Sequence, residues 1–94
     1  MIRKKQTTEW KVRAVKSARS DLKKAQNSYL RDSLRDIIET LKQNPYDPIQ
    51  YFEKLTPPGQ GKYSRRLNGQ HRVVYSIDKN NHIVTILSAW SHYE

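Results

Sequence analysis

The second half of this chain leaves very few ways to fold. Residues 63–68, 71–78 and 83–92 are strand candidates, and the connections between them are too short for anything but antiparallel neighbours. Asn68-Gly69, between the first two, is a dipeptide suited to a two-residue hairpin. Asp78-Lys79-Asn80-Asn81-His82 forms a slightly longer second turn. The expectation is a three-stranded antiparallel meander.

The first half reads differently. Trp10, Val12 and Ala14 alternate with Lys11 and Arg13, the period of a half-buried strand. Ser17 is a candidate helix cap, with Asp21 near the positive end of the dipole. Ala18, Leu22 and Ala25 give that helix a short apolar face before Asn27-Ser28 interrupts it. Leu30, Leu34, Ile37, Ile38 and Leu41 then line one side of a second helix. Arg31, Asp32, Arg35, Asp36 and Glu39 occupy its other side. Asn44-Pro45 ends it, because proline disfavours helical geometry in the residue before it.

Residues 46–61 contain Pro48, Pro57, Pro58, Gly59 and Gly61 and read as an irregular connection. Tyr51, Phe52 and Leu55 are expected to tuck against the core. The order strand, helix, helix, then three strands predicts an α+β two-layer sandwich with an antiparallel sheet. The helices cover one face and leave the other free for a ligand. A chain of 94 residues makes one domain, 1–94, with 1–8 expected as a flexible basic arm.

The formal charge of +9 favours a polyanionic partner: nucleic acid, a membrane surface or an acidic protein. Its distribution favours the first. From Lys54 to Ile77 there are five basic residues, Lys54, Lys62, Arg65, Arg66 and Arg72, and no acidic one. No stretch approaches the roughly 20 apolar residues of a membrane span. The absence of cysteine excludes disulfides and thiolate zinc sites, fitting a reducing cytoplasm, the expected location. The acidic residues are too scattered to suggest a metal centre, and no cofactor is expected.

Arg65, Arg66 and Arg72 flank one hairpin, and their heads are expected to converge. Glu53 lies in the segment leading into it. His92 and Tyr93 fall at the end of the last strand candidate. Strict alternation would place His92 on the face of Trp90, Ser88 and Ile86, with Tyr93 opposite. His71 reads as structural and His82 as an exposed turn residue. Taken singly, each has an ordinary explanation.

The ordered string is more specific. Tyr63-Ser64-Arg65-Arg66-Leu67-Asn68-Gly69-Gln70-His71-Arg72-Val73-Val74-Tyr75, with Trp90-Ser91-His92-Tyr93, resembles the Txe/YoeB toxins of the RelE/ParE superfamily. The resemblance is strongest from Glu53 to Glu94. It implies a type II toxin–antitoxin module whose toxin cuts mRNA in the ribosomal A site. The implied partners are the ribosome, that mRNA and a YefM/Axe-like antitoxin, and a homodimer stays open. The site residues it implies are Glu53, Arg66, Arg72, His92 and Tyr93, with Glu53, Arg72, His92 and Tyr93 expected as catalytic. Arg66 is expected to bind substrate, as are its basic neighbours Arg65 and Lys62 on the charge reading. This chain departs from the family pattern at Thr56, where a lysine is common, in Pro57-Pro58-Gly59-Gln60, and in the added Glu94.

Cleavage without a metal requires a base for the ribose 2′-OH, cations for the phosphate and an acid for the leaving oxygen. Glu53 is the candidate base and His92 the candidate acid, an assignment that is reversible on sequence grounds. Arg72, supported by Arg66, suits the phosphate, and Tyr93 suits the base or ribose. Two rivals share the basic surface: a ParE-like gyrase poison and a non-catalytic RNA-binding module.

Overall fold

A computed structural model describes residues 9–55 and 61–90 of the chain. Strand β1 (Lys11–Ala14) is followed by helices α1 (Lys16–Gln26) and α2 (Arg31–Gln43). Strands β2 (Glu53–Lys54), β3 (Lys62–Arg66), β4 (Arg72–Asp78) and β5 (Ile83–Ser88) complete it. The sheet has five strands in the order β1-β5-β4-β3-β2. The expected α+β two-layer architecture is present, and β3, β4 and β5 form the antiparallel meander.

Two details refine it. Strand β1 pairs parallel to β5, so the sheet is mixed, not wholly antiparallel. The chain between them, both helices followed by β2, β3 and β4, is far longer than the crossover that parallel neighbours need. Strand β2, within the stretch read as irregular, adds a short antiparallel edge to β3.

Burial follows the two periodicities. Ala18 and Ala25 of α1 and Leu34, Ile37 and Leu41 of α2 are buried against Val73 and Tyr75 of β4 and Val84 and Ile86 of β5. The α2 stripe is therefore the core face, while Arg35 pairs with Asp32 on the exposed side. Helix α1 starts one residue before Ser17, and its N-cap, Val15, makes no side-chain bond. Asp21 is not a first-turn residue; its Oδ2 accepts the Ala89 N–H at 3.2 Å. It thus ties α1 to the chain beyond β5.

Of the connection before β3, Phe52 tucks in as expected, stacked on Tyr63, which in turn stacks on Tyr75. Tyr51 does not. It is 79% exposed, with φ of 55° following φ of 58° at Gln50. Left-handed backbone reverses the chain locally and breaks the alternation that would have turned Tyr51 inward.

The β3–β4 turn also differs. Neither Asn68 nor Gly69 adopts the positive φ of the two-residue turn expected there. Leu67 N–H donates to the His71 carbonyl, and the Asn68 Oδ1 accepts the N–H groups of Gln70 and His71 at 2.8 and 2.7 Å. A side-chain acceptor replaces the tight backbone turn. Among the described residues no helix is long and apolar enough to cross a membrane.

Candidate functional site

Alternation on β3 and β4 sorts their side chains between two faces. Val73 and Tyr75 lie under the helices, and Arg65, paired with Val73, shares that side. Arg72 and Arg66 are a direct cross-strand pair on the other face. Two guanidinium groups placed side by side repel one another and lower stability. Such a pair suits an anion that both can hold.

Glu53 is positioned by β2, opposite Ser64, and Ser64 is opposite Val74. This puts the carboxylate one row from the arginines. Arg72 Nη1 stands 3.9 Å from Glu53 Oε1, with 24% of the Arg72 side chain and 57% of the Glu53 side chain exposed. That is an ion pair without a hydrogen bond, whose usual limit is about 3.2 Å. Arg66 Nη1 donates to the Gly69 carbonyl at 3.3 Å. Lys62 is exposed on the same face, about 13 Å along β3 from Arg66.

Arg65 does not join them, and the expectation that it binds substrate is corrected. It is fully buried. Its Nη2 donates to the Pro45 carbonyl and its Nη1 to the Ile49 carbonyl, each at 2.8 Å. The guanidinium carbon lies 4.8 Å from the centre of the Phe52 ring. Adjacent residues on a strand face opposite ways, so Arg65 and Arg66 serve different sides of the sheet.

One cation escaped the sequence reading. The register aligns Lys62, Ser76, Thr85 and Arg13 across β3, β4, β5 and β1. Arg13 Nε donates to Thr85 Oγ1 at 3.3 Å. The positive charge therefore extends across the sheet, away from the hairpin. The Trp10-to-Ala14 alternation had already placed Arg13 opposite the core side. Its distant partner strand was the hidden element.

The histidines separate cleanly. His82 stacks on Trp10 at 3.8 Å, and buried His71 stacks on Trp90 at 4.0 Å. Neither belongs to the Glu53–Arg66–Arg72 group. Ile86 pairs with Tyr75 and Ser88 with Val74, so Leu87 is an extra residue, a β-bulge. The regular alternation assumed from Ile86 to His92 fails there, and β5 ends at Ser88. His92, Tyr93 and Glu94 lie outside the described residues, as do the arm 1–8, Thr56 and the 57–60 stretch. Among the described residues no three of His, Cys, Asp and Glu gather as metal ligands would.

Residues 16–93 match the family described as the YoeB-like toxin of bacterial type II toxin–antitoxin systems. Toxin YoeB of Synechocystis sp. is 34% identical over 58 residues, 62% of this chain and 65% of that protein. The match thus spans slightly less than two thirds of that relative. The solved YoeB dimer of Staphylococcus aureus superposes with a TM-score of 0.75 at 27% identity, covering 90% of this chain and 99% of that one. In the YoeB–YefM complex of the same organism the values are 0.73 and 29%, over 89% and 98%.

Proposed function

The chain belongs to the family of YoeB-like toxins of bacterial type II toxin–antitoxin systems, and from that premise we propose that it is an endoribonuclease cutting mRNA in the ribosomal A site. The carrying observation is the cross-strand pair Arg66 and Arg72 beside the Glu53 carboxylate, on the sheet face away from the helices. In this reading Arg72, with Arg66, binds the scissile phosphate through its fork of N–H donors. The contact that Arg72 gives up is the 3.9 Å pair with Glu53, so no hydrogen bond is lost in the exchange.

Glu53 then removes the proton from the ribose 2′-OH. The 2′-oxygen attacks phosphorus, the bond to the 5′-oxygen breaks, and His92 protonates the departing oxygen. The products are a 2′,3′-cyclic phosphate and a 5′-hydroxyl, and no water is consumed. Support for His92 is the family pattern alone, whose terminal His-Tyr it matches within residues 16–93. Tyr93 orients the adjoining base or ribose, and Lys62 contacts the flanking backbone. A YefM-like antitoxin would restrain the toxin, and a homodimer is compatible with the dimeric relative.

The test is to add the protein to a translating extract and map mRNA 5′ ends by primer extension. New ends in register with codons are expected from the wild type and not from Arg72→Ala or His92→Ala. Supercoiling inhibition without new ends would point to gyrase instead.

A further inference from the structure

Tyr51 has a placement that the core does not explain. It is 79% exposed, and with Gln50 it forms two successive non-glycine residues at positive φ. Such a backbone is strained for a side chain and persists only where its surroundings over-determine it. Those surroundings are specific. Ile49 and Gln50 are gripped by the buried Arg65 Nη1, through the Ile49 carbonyl at 2.8 Å and Gln50 Oε1 at 3.5 Å. The Gln50 carbonyl accepts the Arg66 N–H at 2.9 Å. Phe52, on the other side of Tyr51, is stacked on Tyr63.

The Arg66–Gln50 bond lies beyond the end of the β2–β3 ladder, one residue out of its register, and brings the backbone of Tyr51, the next residue, close to that of Arg66. Tyr51 therefore follows the residue whose carbonyl is bonded to Arg66, itself paired with Arg72, and stands two residues before Glu53. The other highly exposed aromatic, Tyr29, is engaged by Asn68 Nδ2 at 3.1 Å.

From this geometry we infer that Tyr51 is a stacking platform for one unpaired RNA base next to the phosphate held by Arg66 and Arg72. The inference rests on the ribonuclease reading above. Single-stranded RNA is recognised largely by splayed bases stacked on aromatic rings. An exposed ring on the segment bonded to the strand that carries Arg66 offers a base contact next to a phosphate contact. The same stack would help set which nucleotide lies over Glu53.

The experiment uses ribosomes programmed with a defined mRNA and measures single-turnover cleavage. Wild type, Tyr51→Phe, Tyr51→Trp and Tyr51→Gly are compared on intact mRNA and on mRNAs lacking one base at each position around the cut. Phe and Trp are expected to stay near wild type. Gly is expected to lose about tenfold to a hundredfold in cleavage efficiency on intact mRNA. On the one mRNA lacking the stacked base, Gly and wild type are expected to converge. Because glycine accepts positive φ, its thermal midpoint is expected to hold; Tyr51→Asn, also tolerant of that backbone, repeats the measurement. Wild-type rates for Gly and Asn on intact mRNA, or a deficit unchanged whichever base is missing, overturn the inference. No cleavage by wild type would remove the ribonuclease reading itself, a different result from cleavage indifferent to Tyr51.

Discussion

The Arg72 guanidinium and the Glu53 carboxylate face one another at 3.9 Å across the sheet surface. A pair this loose and partly solvated contributes roughly 0–1 kcal/mol to stability. Its removal therefore separates chemistry from folding. Arg72→Ala and Glu53→Gln are each expected to slow mRNA cleavage by about 10²–10⁴-fold. Their urea midpoints are expected to stay close to wild type. Arg72→Lys recovers little, because an ammonium lacks the planar fork that matches a phosphate. Wild-type cleavage by Glu53→Gln would move the base role elsewhere.

Arg65 and Arg66 are neighbours with opposite duties. Arg65→Ala strips donors from the Pro45 and Ile49 carbonyls and leaves a void beside Phe52. A loss of about 2–5 kcal/mol in chemical denaturation is expected, as for large-to-small changes in a core. Arg66→Ala is expected to stay within about 0.5 kcal/mol of wild type and to weaken RNA binding instead. Equal stability losses for the two variants would contradict this division.

The fold was legible where periodicity and chain length leave one answer. The stripe from Leu30 to Leu41 allowed one buried face, and the short β3–β4 and β4–β5 connections allowed one strand direction. The direction of β1 was hidden because it depends on which distant strand it meets, here β5. Glu53, Arg66 and Arg72 were singled out by the ordered string, and the structure brings them to one face. Arg65 was misplaced because a basic residue is ordinarily exposed, and nothing local to it announces the Pro45 and Ile49 carbonyls. Tyr51 was misplaced for the reverse reason: an aromatic in a proline-containing connection reads as core until its φ is known.

The β3–β4 turn allows a direct contrast. An Asn-Gly two-residue turn would need positive φ at Gly69, and alanine there would be strained. Here Gly69 has no positive φ, and an added Cβ meets nothing within 4 Å. Gly69→Ala is therefore expected to lie within about 0.5 kcal/mol of wild type. Asn68→Ala leaves the Gln70 and His71 N–H groups without their acceptor and is expected to cost about 1–3 kcal/mol. Asn68→Asp keeps the acceptor and much of the stability. Thermal denaturation of the three variants decides it, and a larger loss for Gly69→Ala than for Asn68→Ala would overturn this account of the turn.

Tyr75 supplies a pH-dependent prediction with a definite sign. Its hydroxyl donates to the Pro45 carbonyl at 2.9 Å, and burial pushes its pKa up from 10.0 to about 12, partly opposed by Arg65. Below pH 10 the native and unfolded chains both keep the proton, so its contribution to stability is complete. Between about 10 and 12 the unfolded chain releases the proton while the native one holds it. Unfolding is then favoured by at most about 1.4 kcal/mol per pH unit. Tyr75→Phe has no proton to lose. It is expected to be less stable than wild type at pH 8 by about 0.5–1.5 kcal/mol, the usual value of one such hydrogen bond. The gap is then expected to narrow, and to reverse, as pH rises from 10 to 12. Urea denaturation of both proteins across pH 8 to 12 measures it, and a constant gap would mean that the Tyr75 hydroxyl titrates no differently in the folded protein.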